Sequence, residues 1–216
     1  MSGNETNKQF YRNVPFEVFE GLTKQGGFAN CKDLMLIADQ IPSEAKVIEL
    51  GAGYGRCVDF LLAQKHTGSI VAIEQSLPMV NVLNEKYKGI SSVTVLSKDF
   101  SAMDDAFQAD VILWIFSGML DFSKQEQIAV LKKTRSWLVK GGKLFIDIPQ
   151  LSELTIARYT TAQDILMETP YGSIETFLPS IEDMNEYALN AGYSSISPLN
   201  YDSDTGKKRT MFMFIA

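Results

Sequence analysis

The chain has 216 residues, 45% of them hydrophobic and 21% charged. That is long enough for one domain to bury most of its surface without a metal or a disulfide. A net charge of −6 argues against a polyanionic partner, so nucleic acid is not expected. Two cysteines, Cys31 and Cys57, and a single histidine, His66, leave neither a disulfide scaffold nor a Cys/His metal cluster.

The first residues, Met1 to Lys8, are polar and lack the apolar centre of a signal peptide. No run approaches the roughly 18 apolar residues of a membrane span, and a cytoplasmic location is expected. A helix is expected near Asp33 to Gln40. From residue 46 onward short apolar runs alternate with stretches of helical period. The runs are Lys46 to Leu50, Ser69 to Glu74, Ser92 to Ser97, Asp110 to Phe116 and Lys143 to Ile148. Each reads as a parallel strand buried on both faces.

Helices are expected from Arg56 to Gln64, from Pro78 to Tyr87, and after Ser123 to Leu138. Ser123 with Glu126 is a capping-box pattern, and Lys140-Gly141-Gly142 reads as the stop of that third helix. A last helix spans Glu182 to Asn190 and ends at Gly192. Two strands follow, Tyr193 to Leu199 and Thr210 to Ile215. The loop between them is too short for a helical crossover, so they must pair antiparallel. The expected fold class is α/β: a doubly wound, mostly parallel seven-stranded sheet with an antiparallel last strand and helices on both faces.

One turn carries the chemistry. Glu49-Leu50-Gly51-Ala52-Gly53-Tyr54-Gly55 follows the first strand directly and opens a helix. Glycine permits the sharp turn and lets a ligand approach the backbone, while the helix start offers free N–H groups. The spacing is not that of a dinucleotide site, whose third glycine falls three residues after the second. An acidic residue followed by Gly-x-Gly-x-Gly resembles the first motif of the class I S-adenosylmethionine-dependent methyltransferases. The resemblance covers residues 44 to 149, and the reversed final strand fits residues 193 to 216.

It implies S-adenosylmethionine as cofactor, bound by Glu49, Gly51, Ala52, Gly53 and Gly55 around its methionine part. Glu74, ending the second strand, would accept the ribose hydroxyls, with Gln75 and Ser76 along the nucleoside. Asp99 would receive the adenine amino group and Phe100 would pack on the ring, although Asp99 also reads as an ordinary helix cap. Trp114, ending the fourth strand, would face the sulfonium, or be plain core. Tyr11 would reach over the cofactor from a leader helix.

The resemblance also implies a single domain, with residues 1–45 as a helical lid, 46–149 as cofactor core, 150–181 as a substrate-side insertion and 182–216 as a terminal helix and hairpin. The expected reaction is methyl transfer to a small molecule or a protein side chain by in-line displacement, without a metal. Ile115-Phe116-Ser117-Gly118 lacks the Asn/Asp-Pro-Pro-aromatic motif of methyltransferases acting on exocyclic amines of bases. No catalytic base is assigned; Asp121, Glu153, Tyr159 and Tyr171 are the candidates. His66 lies at the far end of the domain and reads as structural. Cys57, in the first turn of a helix, reads as packing, although that position could lower a thiol pKa. Lys207-Lys208-Arg209 reads as a solvated loop. The rival readings are a cofactor-binding sensor or scaffold without catalysis and a nicotinamide dehydrogenase.

Overall fold

The computed structural model describes residues 3–150, 158–159 and 163–216. Its frame is a seven-stranded sheet. The strands, with the elements between them, are β1 (Val47–Leu50), β2 (Ile70–Glu74), β3 (Val93–Ser97), β4 (Ala109–Trp114), β5 (Leu138–Pro149), β9 (Ser195–Asp202) and β10 (Lys208–Ile215). Their spatial order is β3-β2-β1-β4-β5-β10-β9. The first five are parallel, and β10 runs antiparallel to both of its neighbours. The order reverses between β1 and β4, so a crevice opens there at the carboxyl ends of the strands.

Side chains on successive strand residues point to opposite faces, and the sheet is apolar on both. Ile48, Ile112, Trp114 and Ile146 join one core with Leu131 and Trp137 of α6 (Lys124–Trp137) and Met184 and Tyr187 of α7 (Ile181–Ala191). Val47, Ala72, Val111 and Phe145 join the other. There they meet Leu34 and Ile37 of α3 (Lys32–Ile37), Val58 and Leu61 of α4 (Arg56–Ala63), and Leu83 of α5 (Leu77–Lys86). The capping boxes Ser123/Glu126 and Ser180/Asp183 start α6 and α7, and Gly192 in the left-handed region ends α7.

Three local expectations change. The third strand is the sheet's edge, with half-buried and exposed residues, rather than a strand buried on both faces. Gly141-Gly142 does not stop α6; the helix ends at Trp137 and β5 begins at Leu138, because Leu138 already pairs with Ala109 of β4. The helix expected from Asp33 to Gln40 is α3 followed by a 3₁₀ turn, Ala38–Gln40.

Two additions sit over the crevice. The leader folds into α1 (Gly3–Asn13) and α2 (Phe16–Gly26). Between β5 and α7 a small antiparallel sheet forms from β6 (Arg158–Tyr159), β7 (Asp164–Thr169) and β8 (Gly172–Phe177). Asn7 of α1 clamps onto β8: its Nδ2 donates to the Glu175 carbonyl at 2.7 Å, and its Oδ1 accepts the Glu175 N–H at 2.8 Å. Among the described residues no helix is long and apolar enough to cross a membrane.

Candidate active site

The turn after β1 is built by its glycines. Gly51, Gly53 and Gly55 all have positive φ, at 67°, 55° and 89°. Gly55 caps α4 and leaves no room for a side chain: a Cβ there would lie 2.2 Å from the Tyr87 hydroxyl, which donates to the Gly55 carbonyl at 2.7 Å. Gly51 is the opposite case, because a Cβ there would meet open space. That space belongs to a cavity of about 270 Å³ in the crevice.

The cavity wall brings together Glu49, Gly51, Ala52, Gly53, Glu74, Gln75, Phe100, Trp114 and Tyr11, all expected from the sequence. Two expected residues are not in that wall. Gly55 is turned toward Tyr87. Asp99 caps the short 3₁₀ turn after β3, its Oδ1 accepting from the Ser101 N–H and hydroxyl, while Lys8 of α1 pairs with its Oδ2 at 2.8 Å. Its reading as a cap is what the geometry carries out.

Glu49 is 5% exposed, and its Oε2 has no hydrogen-bond partner. Burial raises its carboxyl to about 7, opposed by the Cys57 thiol and by Arg56. Cys57 is buried too, and its own pKa is pushed up by burial and by Glu49, so the helix start does not make it a reactive thiolate. A carboxyl raised above its unfolded value stabilises the fold at acid pH and loses that contribution as pH rises through the folded pKa. Glu49→Gln is therefore expected to stabilise the ligand-free protein at pH 8 by about 1–3 kcal/mol, and to change little near pH 4. Urea unfolding at the two pH values measures the difference; equal effects at both would contradict the burial argument.

Glu74 stands beside Glu49 in the wall. Its Oε2 accepts the Gly53 N–H at 2.8 Å and its Oε1 the Ser76 N–H at 2.7 Å. The backbone of Gln75 acts on the same carboxylate, and with about four acceptor positions the side chain still has room for a ligand hydroxyl. Phe100 is fixed from below, where Lys133 Nζ donates to the carbonyls of Phe100, Ser101 and Met103. After β4 the chain takes two consecutive left-handed residues, Phe116 and Ser117. The Ser117 N–H donates to the Asp147 carbonyl at 3.1 Å and its Oγ accepts from Arg209 at 2.6 Å. Arg209 is thus buried against Asp147 rather than solvated with its lysine neighbours.

Asp121 also lines the cavity. Of the other base candidates, Tyr171 lies at the β7–β8 hairpin outside the wall. Glu153 and the side chain of Tyr159 lie outside the described residues. His66 is buried, with Nε2 2.9 Å from the Ala45 carbonyl. Reasoning on sequence missed Asn7, Phe19, Leu22 and Ile174, which reach the cavity from α1, α2 and β8. Among the described residues no group of His, Cys, Asp or Glu is placed to hold a metal ion.

The comparisons agree with this architecture. Residues 47–142 match the family model of a methyltransferase domain. No curated protein matches by sequence. Magnesium protoporphyrin IX methyltransferase from Synechocystis PCC 6803 superposes with a TM-score of 0.71 at 11% identity, over 100% of this chain and 97% of that one. An S-adenosylmethionine-dependent methyltransferase structure from Listeria monocytogenes gives 0.69 at 12%, over 85% and 97%. An amino pentose methyltransferase from Micromonospora echinaspora gives 0.63 at 14%, over 93% and 98%. At such identities the structures establish the shared fold, and the matched segment contains the glycine turn, Glu74 and β4. Residues 47–142 thus resemble a methyltransferase domain, and the chain has the fold of these S-adenosylmethionine-dependent methyltransferase structures. The matching model is that of a methyltransferase domain rather than of a nicotinamide dehydrogenase.

Proposed function

We propose that this chain transfers the methyl group of S-adenosylmethionine to a small molecule. The observation that carries the site assignment is the unpartnered Oε2 of buried Glu49, beside a glycine turn whose Gly51 faces open space. An anionic oxygen buried without a partner needs a cationic or hydrogen-donating ligand. The cofactor's amino-acid end offers an ammonium group. Gly51, Ala52 and Gly53 would carry that end, with Glu49 at the ammonium. The remaining acceptor capacity of Glu74 would take the ribose hydroxyls, with Gln75 and Ser76 alongside. Phe100 would pack on the adenine and Trp114 would lie toward the sulfonium. Asp99 and Gly55 are left out of the set, since each is engaged elsewhere.

When bound, the cofactor supplies a methyl group already activated by a good leaving group, so the protein's task is orientation and exclusion of water. Tyr11, Phe19 and Leu22 cover the cavity from the leader, and Ile174 closes it from the β6–β8 sheet. A cavity walled in this way suits a compact acceptor better than a residue within a folded protein. The named acceptors of similar enzymes, an amino pentose and magnesium protoporphyrin IX, are small molecules rather than proteins.

Calorimetry with S-adenosylmethionine tests the site, and S-adenosylhomocysteine formation across a panel of small acceptors tests the reaction. Glu74→Ala is expected to weaken cofactor binding by roughly 10–100-fold, the worth of one or two hydrogen bonds to a charged group. Unchanged affinity would remove Glu74 from the set. Saturable binding with no turnover on any acceptor would return the protein to the sensor reading.

A further inference from the structure

Building on the cofactor assignment above, we propose that Asp121 is the proton acceptor of the transfer, that Tyr11 positions it, and that the acceptor is an amine. Asp121 closes the 3₁₀ turn Gly118–Asp121 that follows β4. In the sheet order β2-β1-β4, it therefore stands on the far side of the glycine turn from Glu74, beyond the place assigned to the methionine end. Its side chain is in the cavity wall and is held there from above. Tyr11 lines the same cavity, and its hydroxyl is close enough to favour the charged carboxylate. Asn7 Nδ2 lies 3.0 Å from the Asp121 carbonyl and 3.5 Å from Oδ1, while the same amide group is clamped to β8.

No cation is spent on this carboxylate. Among the described residues, Lys8 pairs with Asp99, Arg12 with Glu5, and Arg56 with Asp33 through two bonds of 2.6 and 2.8 Å. β8 presents Ile174 and the Glu175 backbone, and the turn itself adds Phe122. Glu74 is the remaining charged group that acts on Tyr11. The cavity thus holds Glu49, Glu74 and Asp121 against one arginine that is already neutralised, which favours cationic ligands. Burial raises the Asp121 carboxyl to about 7, and the Tyr11 hydroxyl holds it from rising further. A base of that strength exchanges protons near neutrality.

The step balances with these groups alone. An acceptor R–NH₃⁺ passes one proton to the Asp121 carboxylate and becomes R–NH₂. Its lone pair forms the N–C bond to the methyl carbon as the C–S bond breaks, and that bonding pair stays on sulfur, giving a neutral thioether. The product leaves as R–NH₂⁺–CH₃, and Asp121 returns its proton to water.

The probe is sinefungin, an analogue of the cofactor with a primary amine where the methyl group would be, compared with S-adenosylhomocysteine, which has neither. Calorimetry on the full chain is expected to show sinefungin bound about tenfold more tightly than S-adenosylhomocysteine near pH 8, and near parity below about pH 6, where Asp121 is protonated. In Asp121→Asn the ratio should fall to about one at both pH values. Tyr11→Phe should keep the preference and move its midpoint to higher pH, because a hydroxyl that favours the charged form is lost; a purely structural tyrosine would not shift that midpoint. Near-UV circular dichroism confirms that each variant is folded. A preference that survives in Asp121→Asn, or one without pH dependence, overturns the proposal. Failure of wild-type protein to bind either ligand would instead overturn the cofactor assignment, and this inference with it.

Discussion

Asp147→Ala is expected to cost about 3–5 kcal/mol of folding stability, as the loss of one partner from a buried ion pair does. Asp147 is fully buried and Arg209 is 5% exposed. The guanidinium donates to both carboxylate oxygens at 2.7–3.1 Å and lies 4.7 Å from the centre of the Phe28 ring. Tyr201 adds a hydrogen bond to Asp147 at 2.6 Å. Without the carboxylate, a charge remains in an apolar shell with the Ser117 hydroxyl as its remaining side-chain acceptor among the described residues. In urea the midpoint should drop accordingly, and the melting temperature should fall by about 10 °C for a domain of this size. The double variant Asp147→Leu/Arg209→Met should recover part of the loss, since no buried charge is then left unpaired. A single-variant loss below about 1 kcal/mol would mean that water reaches the arginine.

Gly53→Val is expected to weaken cofactor binding by at least about 100-fold, close to 3 kcal/mol. Gly53 has φ of 55°, where a branched side chain is strained, and an added Cβ would come within 3.2 Å of the Phe19 ring. The valine must displace Phe19 into the cavity or shift the turn, and its amide is the one that donates to Glu74. Two companions separate strain from steric exclusion. Gly51→Ala adds a methyl group to open space at the cavity and should also reduce affinity. Gly89→Ala has φ of 82° and open surroundings away from the cavity, so it should lower stability and leave affinity alone. Equal affinities for Gly53→Val and wild type, measured by calorimetry on folded protein, would show that the cofactor does not lie against this turn.

The strands next to the glycine turn were legible because burial on both faces writes itself as a continuous apolar run. Val47 to Leu50 is buried throughout, and Ala109 to Trp114 nearly so. Position in the sheet is not written in the run, so the edge strand β3 looked like its neighbours. Gly141 and Gly142 carry the composition of a helix stop, but pairing with β4 and β10 draws them into β5. The leader was harder. α1 is polar along most of its length, and Asn7 is buried only because β8 and the turn after β4 supply its partners from more than a hundred residues away. Lys207-Lys208-Arg209 misled for the same reason, since the partner of Arg209 lies 62 residues earlier.

The candidate site divides in the same way. Glu49, Gly51, Gly53 and Glu74 follow from local motif spacing and strand ends, and the structure gathers them around one cavity. Asp99 matched a motif position, but Ser101 two residues on offers the short-range hydrogen bonds that make an aspartate a cap. Phe19, Leu22 and Ile174 carry no local signal at all. They become neighbours only through tertiary packing.

The placement of Asn7 bears on how the protein is made. Residues 3–26 are made before the rest of this domain, yet their supports include Asp121, Glu175 and, through the Gly27 carbonyl, the Asp204 N–H. The loop after β4 is likewise incomplete until Arg209 arrives. Synthesis therefore leaves the leader only partly supported until late, and a nascent chain lacking its last strands has no finished pocket in which to hold a ligand. Closure of such distant contacts is slow compared with helix formation, so ligand-binding competence should be the last property the new polypeptide acquires.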